Sequence, residues 1–432
     1  MTHRSERVLD VRALARVEGE GAMHVRVRGG AVEDVRLEIY EPPRFFEAFL
    51  RGRGHTEPPD ITARICGICP VAYQMSACAA IEDACGVTVD RRVAALRRLL
   101  YCGEWIESHT LHIYLLHAPD FLGYAGALDM AQDHRDLVER GLALKKAGNE
   151  IVEVLGGRPI HPVNVRVGGF YRVPRPEELR PLREHLRRAL DLAVATVEWV
   201  AAFEFPDFHH DHEMLALVTP GRYAIESGTV ATTGGLSFTP RQFEDHIVEE
   251  QVPHSTALHA HLAGRGHYLV GPAARYALNR QWLTPVAREA AAAAGLGADC
   301  RNPYRSIVVR AVENVLAIEE ALRLIDAYEP PPRPFTEVPP RAGVGFGATE
   351  APRGILFHRY GLTADGAIAS ARIVPPTSQN QAAVEDDLRR FVGARLHLDQ
   401  DRLTHDCEQA IRNYDPCISC ATHFLDLVVD RG

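Results

Sequence analysis

The sequence predicts a mainly α (α+β) protein with a large helical bundle core and small peripheral β-sheets. Three observations predict it. Apolar residues recur at helical spacing over several long stretches. Short alternating runs broken by glycine turns lie near both ends and in the middle. The chain has 432 residues, 46% of them hydrophobic, enough to bury a large core. Val25 and Val27, the Gly29-Gly30 turn, then Val35, Leu37 and Ile39 read as a hairpin. After Pro70 the pattern is helical: Val93, Leu96 and Leu100 share one face, and that helix is expected to reach about Leu116, ending before Pro119. Further long helices are expected over Leu128 to Leu155 and Glu177 to Phe203. Ile160 to Pro176, rich in Gly and Pro, reads as loop, and Ala216 to Thr239 as short strands with turns. The prolines of Glu329 to Arg341 mark either an interdomain linker or a surface loop. Gly354 to Val374 reads as a hairpin about Asp365-Gly366, followed by a helix near Gln381 to Val392.

Composition removes several functions. A net charge of −9 argues against a dedicated nucleic-acid binder. The only lysines are Lys145 and Lys146. The most apolar helix-like stretch, Leu190 to Phe203, carries Asp191 and Glu198, so no membrane span is expected. Met1 to Arg12 lacks the apolar segment of a signal peptide, and the expected location is the cytoplasm. Nine cysteines, an odd number spread through a large chain, do not form the pattern of a secreted disulfide framework.

Two cysteine pairs carry chemistry: Cys66-Gly67-Ile68-Cys69 near the start and Cys417-Ile418-Ser419-Cys420 near the end. Each CxxC can bring two sulfurs to one ion, and two pairs supply four thiolates, a set suited to zinc, iron or another thiophilic metal. Zinc ribbons keep their pairs within tens of residues, whereas these lie at opposite ends of the chain. Spacing alone leaves open a shared metal site, a four-cysteine zinc scaffold and a redox CxxC.

The flanking residues are more specific. Arg64-Ile65-Cys66-Gly67-Ile68-Cys69-Pro70 and Asp415-Pro416-Cys417-Ile418-Ser419-Cys420-Ala421-Thr422-His423 closely resemble the RxCGxC and DPCxxCxxH motifs of the large, catalytic subunit of nickel–iron hydrogenases. Other segments resemble family motifs in order: Arg16-Val17-Glu18-Gly19, the Glu47 segment ending Gly52-Arg53, His161-Pro162 with Gly168-Gly169, Glu350-Ala351-Pro352-Arg353-Gly354, and Pro376-Thr377-Ser378-Gln379-Asn380. The matches span residues 16 to 423. Tyr73 stands where the family often has His, and Glu107-Ser108-His109 where membrane-bound members carry His-Asp-His. Both features resemble the cytosolic NAD(P)-linked branch (group 3, closest to 3b). Ser108 has no carboxylate, so the role of the usual Asp is not carried over.

The resemblance implies nickel held by Cys66, Cys69, Cys417 and Cys420, with Cys69 and Cys420 bridging to an iron that carries carbon monoxide and cyanide. Glu18 matches the proton-transfer glutamate, accepting from Cys417, since a thiolate can take the first proton and a nearby carboxylate pass it on. Arg353 matches a guanidinium suspended over the open side of the metals. Pro352 and Thr377 are implied contacts to the diatomic ligands, and Asp415 would orient Arg353. Glu47, a carbonyl near Ile373, and His423 match the ligands of a buried magnesium. His109, His112 and His117 could mimic a zinc site but read as packing or as a proton relay behind the site, and Cys78, Cys85, Cys102, Cys300 and Cys407 as inert thiols.

The chain has no ferredoxin-like cysteine run, and Gly343-Val344-Gly345-Phe346-Gly347 lacks the spacing of a dinucleotide fingerprint. Electrons must leave through another subunit. The resemblance supplies a small iron–sulfur subunit, then flavin and NAD(P) diaphorase subunits, and a maturation protease. It implies one large-subunit domain over 1–423: a β-rich part at 1–60, a helical body with a β insertion at 61–330, and a part at 331–423 with the second CxxC. The tail 424–432 would be removed after His423. The expected reaction is reversible heterolytic cleavage of dihydrogen with electrons passed to NAD(P). Its rivals are a deazaflavin-linked hydrogenase subunit, a non-catalytic zinc scaffold and a subunit of complex I type.

Overall fold

The computed structural model describes residues 6–42 and 45–422. Four long helices pack in a closed circuit: Arg91–Leu111 against Arg135–Gly156, that against Pro176–Ala201, that against Ser306–Asp326, and the last back onto the first. The Pro176–Ala201 helix shows why. Its buried residues Leu179, Leu182, Leu186, Ala189, Ala193, Val197 and Val200 fall three or four apart, so one stripe faces the circuit. The main hydrophobic cluster runs from Leu50 to Cys420 and includes all four cysteines of the two pairs, so the pairs lie inside the core.

Small sheets surround the helices. Glu6–Val11, Gly21–Arg28 and Ala31–Ile39 form an antiparallel sheet in that order. Gly343–Ala351, Gly354–Leu362 and Ile368–Val374 form a second antiparallel sheet. The helix Pro70–Cys85 lies on this second sheet, and the glycines of the rejected dinucleotide pattern are the reason it can. A Cβ on Gly345 would meet the Ala80 carbonyl oxygen at 2.0 Å, and one on Gly347 the Ser76 carbonyl oxygen at 2.3 Å. The residues of the middle expected as strands form part of a four-stranded sheet around Glu213–Val218.

Several boundaries differ from expectation. The helix after Arg91 does not stop before Pro119: it passes through a π turn at His112–His117 into Ala118–Leu122. Pro119 sits in the first turn of that segment, where a missing N–H costs nothing. The expected Leu128–Leu155 helix is two, Ala127–Asp133 and Arg135–Gly156. The proline-rich segment is a surface loop strapped to the core: the Phe170 N–H donates to Pro334 O at 3.0 Å and the Thr336 N–H to Gly168 O at 2.9 Å. The last long helices are Pro376–Gly393 and Gln400–Arg412, the second unanticipated.

Candidate metal centre

The first cysteine pair lies between a short 3₁₀ turn ending at Ile65 and the helix that starts at Pro70. The free N–H groups of that helix are capped from another element. The buried Glu104 carboxylate accepts from Val71 N at 2.6 Å and from Ala72 N at 3.1 Å. Burial pushes the Glu104 carboxyl well up. The second pair opens the short helix Ile418–Ala421, and its approach is set by the strand-like pairing of Glu18 with Cys417. Ile418 N donates to Glu18 O at 2.8 Å, and Ser419 N to Glu18 Oε2 at 3.0 Å.

Gly19 permits this contact. It has φ +89°, and a Cβ there would lie 2.7 Å from Ile418 Cβ. Just upstream, Arg16 and Arg412 both hold the Asp120 carboxylate, Arg412 at 2.8 and 2.9 Å, and Arg412 also donates to Ala15 O at 3.0 Å. The segment bearing Glu18 is thus pinned on both sides.

The four sulfurs converge. Cys66 Sγ is 3.5 Å from Cys417 Sγ, Cys69 Sγ is 3.5 Å from Cys420 Sγ, and Cys417 and Cys420 are 2.8 Å apart as free thiols. All four are at most 6% exposed, so no water screens them. Cys66 is held well below the usual thiol range, first by the hydrogen bond from Cys417. Burial pushes Cys417 well up and Cys420 up. One thiolate is favoured and further negative charge is resisted, so a cation placed among the four sulfurs would favour the remaining thiolates. The donor set fits a thiophilic metal. The other five cysteines are buried and, with Cys78, Cys300 and Cys407 pushed up to about 12 by burial, fit the inert reading.

Glu18 and Arg353 flank the sulfurs. The Cys417 thiol donates to Glu18 Oε2 at 3.1 Å. Arg353 is 2% exposed and donates from Nε to Asp415 O at 2.8 Å and from Nη2 to Asp415 Oδ1 at 3.0 Å. Its third reach, to Ser108 Oγ, is 3.4 Å. Burial opposes its charge, but Asp415 and then the cysteine sulfurs outweigh that and keep it charged. Asp415 presents both groups by adopting φ 51°, a conformation uncommon for a residue with a side chain. Arg353, Cys69, Tyr73, Ala351, Pro376, Cys417 and Cys420 enclose a cavity of about 10 Å³, and the Tyr73 hydroxyl makes no hydrogen bond among the described residues.

Thr377 does not border that cavity; its Oγ1 accepts from Cys417 N at 3.0 Å and so anchors the cysteine backbone. The Pro352 carbonyl accepts from Arg275 at 2.8 Å. Glu47 Oε1 accepts from Ile373 N at 2.7 Å, and both line a cavity of about 40 Å³ beside Cys420 and Thr422. His423 and the tail 424–432 lie outside the described residues. His109 meets Glu313 at 2.9 Å while His112 donates from Nε2 to Arg412 O at 2.8 Å, so these two histidines serve separate partners.

Sequence reasoning missed the buried frame behind Arg353. Arg275 grips Glu313 at 2.7 and 2.8 Å, Glu350 at 3.2 Å and Ala351 O at 2.9 Å. Its members are far apart in sequence and share no motif; the only signal was the acidic start of the Glu350-Ala351-Pro352-Arg353-Gly354 segment.

A family model described as nickel-dependent hydrogenase matches residues 44–141 and 302–423, which include both cysteine pairs. The chain belongs to the nickel-dependent hydrogenase family. It is 36% identical to sulfhydrogenase 1 subunit alpha of Pyrococcus furiosus over 96% of this chain and 97% of that one. It is 27% identical to the beta subunit of the NAD-reducing hydrogenase HoxS of Cupriavidus necator, over 97% of this chain and 95% of that one. A solved NAD⁺-reducing [NiFe]-hydrogenase in its H₂-reduced state superposes with a TM-score of 0.87 at 27% identity, covering 98% of this chain and all of that one. The chain is therefore an oxidoreductase of the hydrogenase class with the large-subunit fold expected from sequence, and its four converging cysteines fit a nickel–iron site. The zinc-scaffold rival falls with this result. No described helix is long and apolar enough to cross a membrane. The relatives are subunits of multisubunit enzymes, which implies a small-subunit partner.

Proposed function

We propose that this chain is the catalytic subunit of a cytoplasmic hydrogenase that cleaves dihydrogen reversibly and passes electrons through a small iron–sulfur subunit and flavin-bearing diaphorase subunits to NAD(P). The observation that carries the reading is the Glu18 carboxylate 3.1 Å from Cys417 Sγ, at the edge of four converging buried sulfurs. Cys66, Cys69, Cys417 and Cys420 would hold the nickel–iron pair. When bound, the metal pair, its iron carrying carbon monoxide and cyanide, supplies the redox and Lewis-acid chemistry. The residues handle the proton. Cys417 Sγ receives it and Glu18 Oε2 accepts it from the sulfur, held in place by Ser419 N. Arg353, fixed by Asp415, places a permanent positive charge on the small cavity. Thr377 positions Cys417, and the Arg275 contact to Pro352 O positions Arg353.

Glu47, the Ile373 backbone and His423 would hold magnesium, the hard ion being suited to the carboxylate and carbonyl oxygens. The chain would act as one domain over 1–423, with a maturation protease removing 424–432. The test is an infrared spectrum of the purified complex with nickel and iron analysis, followed by reduction assays with NADP, NAD and a deazaflavin. Bands of iron-bound carbon monoxide and cyanide with NAD(P) reduction are expected. Absence of those bands in nickel-loaded, active protein overturns the iron-ligand assignment, and exclusive deazaflavin reduction overturns the acceptor.

A further inference from the structure

Away from the four cysteines, the described residues bring together one other set of three metal-competent side chains: His254, His259 and Glu385, whose ligand atoms all lie within 4.8 Å of one another. His254 sits on the connection between strands Ile247–Glu250 and His259–Leu262, His259 opens the second strand, and Glu385 projects from the helix Pro376–Gly393. His254 Nε2 is 2.8 Å from Glu385 Oε1, and that oxygen also accepts from Leu37 N at 2.8 Å. An ordinary ion pair accounts for those two side chains. It does not account for His259. That residue is 8% exposed, its Nε2 has no hydrogen-bond partner, and the nitrogen points toward Glu385 Oε1 from 3.9 Å. This is too long for a hydrogen bond. Around a four-coordinate ion with bonds of about 2.0–2.1 Å, ligand atoms sit roughly 3.3 Å apart, and the two distances here straddle that value. Burial, and then His254 and His267, lower His259 to about 4, so the imidazole facing the gap is neutral, the form that binds metal.

We propose that His254, His259 and Glu385 form a second metal site, for a zinc-class divalent ion, with a fourth position left to water. Two imidazole nitrogens and one carboxylate suit zinc, whereas magnesium or calcium would ask for an oxygen-rich set. Its place in the fold gives it a structural role. The connection that carries His254 donates from Thr256 N to Ile39 O at 2.7 Å, and its Ala257 pairs with Thr422, two residues beyond Cys420. The helix that carries Glu385 holds Cys417 through Thr377 at its other end. An ion here fastens the connection gripping the end of the second cysteine pair to the helix that anchors its start.

The test uses the purified complex with its nickel and iron in place, stripped of loosely held ions by a chelator and checked for unchanged nickel. Zinc is then titrated by calorimetry, and cobalt(II) is added as a spectroscopic probe. One equivalent of zinc should bind, raise the unfolding temperature, and be replaced by cobalt giving visible ligand-field bands without a thiolate charge-transfer band. His259→Gln and Glu385→Gln should lose that equivalent, while His261→Gln on the same strand should keep it. No zinc uptake by the wild type, equal uptake by His259→Gln, or a thiolate charge-transfer band on cobalt overturns the proposal. Should the variants fail to fold, anomalous diffraction at the zinc edge on wild-type crystals decides: a peak between the three side chains is expected, and zinc bound elsewhere refutes the site.

Discussion

Glu18→Gln isolates proton acceptance from architecture. Two hydrogen bonds end on Glu18 Oε2, from the Cys417 thiol and from Ser419 N, and the Glu18 backbone carbonyl separately receives Ile418 N. The amide oxygen of Gln can still accept from Ser419 N, and the backbone pairing is untouched, so the second CxxC should keep its place. What disappears is a group able to take a proton and release it near neutral pH. A positioned general base contributes about 10²–10⁴-fold, which at about 1.4 kcal/mol per decade is roughly 3–5 kcal/mol of barrier. Hydrogen uptake by the purified complex should therefore fall at least a hundredfold while nickel and iron content stay at wild-type levels. Exchange of deuterium gas with solvent protons should fall in parallel, because it needs the same proton path but no electron acceptor. Turnover within twofold of wild type, about 0.4 kcal/mol, would refute the assignment. A loss of nickel alongside activity would show that Glu18 holds the site together rather than carrying protons.

Other variants probe other parts of the site. Alanine at any one of Cys66, Cys69, Cys417 or Cys420 should abolish nickel retention and turnover, checked by elemental analysis; a fully active, nickel-replete variant would contradict the ligand set. Thr377→Val leaves the buried Cys417 N–H without its acceptor, a cost of about 1–3 kcal/mol, and should lower nickel occupancy, while Thr377→Ser should restore it. Burial pushes the Glu350 carboxyl from 4.5 up to about 7. A raised carboxyl stabilises the fold below its unfolded value and loses that contribution as the pH rises toward the folded one, so denaturant midpoints should drop across that interval and Glu350→Gln should flatten the drop. Intact-mass analysis of the active subunit should give a C-terminus at His423; an active chain ending at Gly432 would exclude trimming.

The parts legible in the sequence are those whose physics is local. The Cys66 and Cys417 pairs announce themselves because one short turn must bring two sulfurs together, and the stripe of Leu179, Leu182 and Leu186 because a helix repeats every three or four residues. Tertiary partners leave no such mark. Nothing in the first CxxC shows that Glu104, from the next helix, caps the helix behind it. Pro119 reads as a stop because proline breaks helix interiors; the π turn before it resets the ladder so that it falls in a first turn instead. The sequence singles out Thr377 for a different contact from the one it makes, since whether a hydroxyl faces a cavity or a neighbouring N–H depends on a chain segment forty residues away.

The same contrast explains how the site is held. Each pair is one turn of chain and cannot by itself keep four thiols, resistant to ionising together, within reach of one centre. The two pairs are joined through groups from elsewhere: Glu18 on the Cys417 side, Glu104 on the Cys69 side, and the Arg353–Asp415 contact across the cavity between them. Arg353 is buried, and a buried guanidinium is tolerated only when charge and hydrogen bonds compensate it. Asp415 supplies part of that compensation, and Cys417, Cys69 and Cys66 add to it as they ionise. The arginine therefore favours thiolates and the thiolates favour the arginine. Metal binding, which requires the thiolates, is coupled through this residue to the Pro352-Arg353 turn between the strands Gly343–Ala351 and Gly354–Leu362. Arg353→Met, which keeps the bulk without the charge, should for that reason weaken nickel retention as well as turnover. A variant that keeps full nickel and loses only turnover would confine the arginine to substrate chemistry.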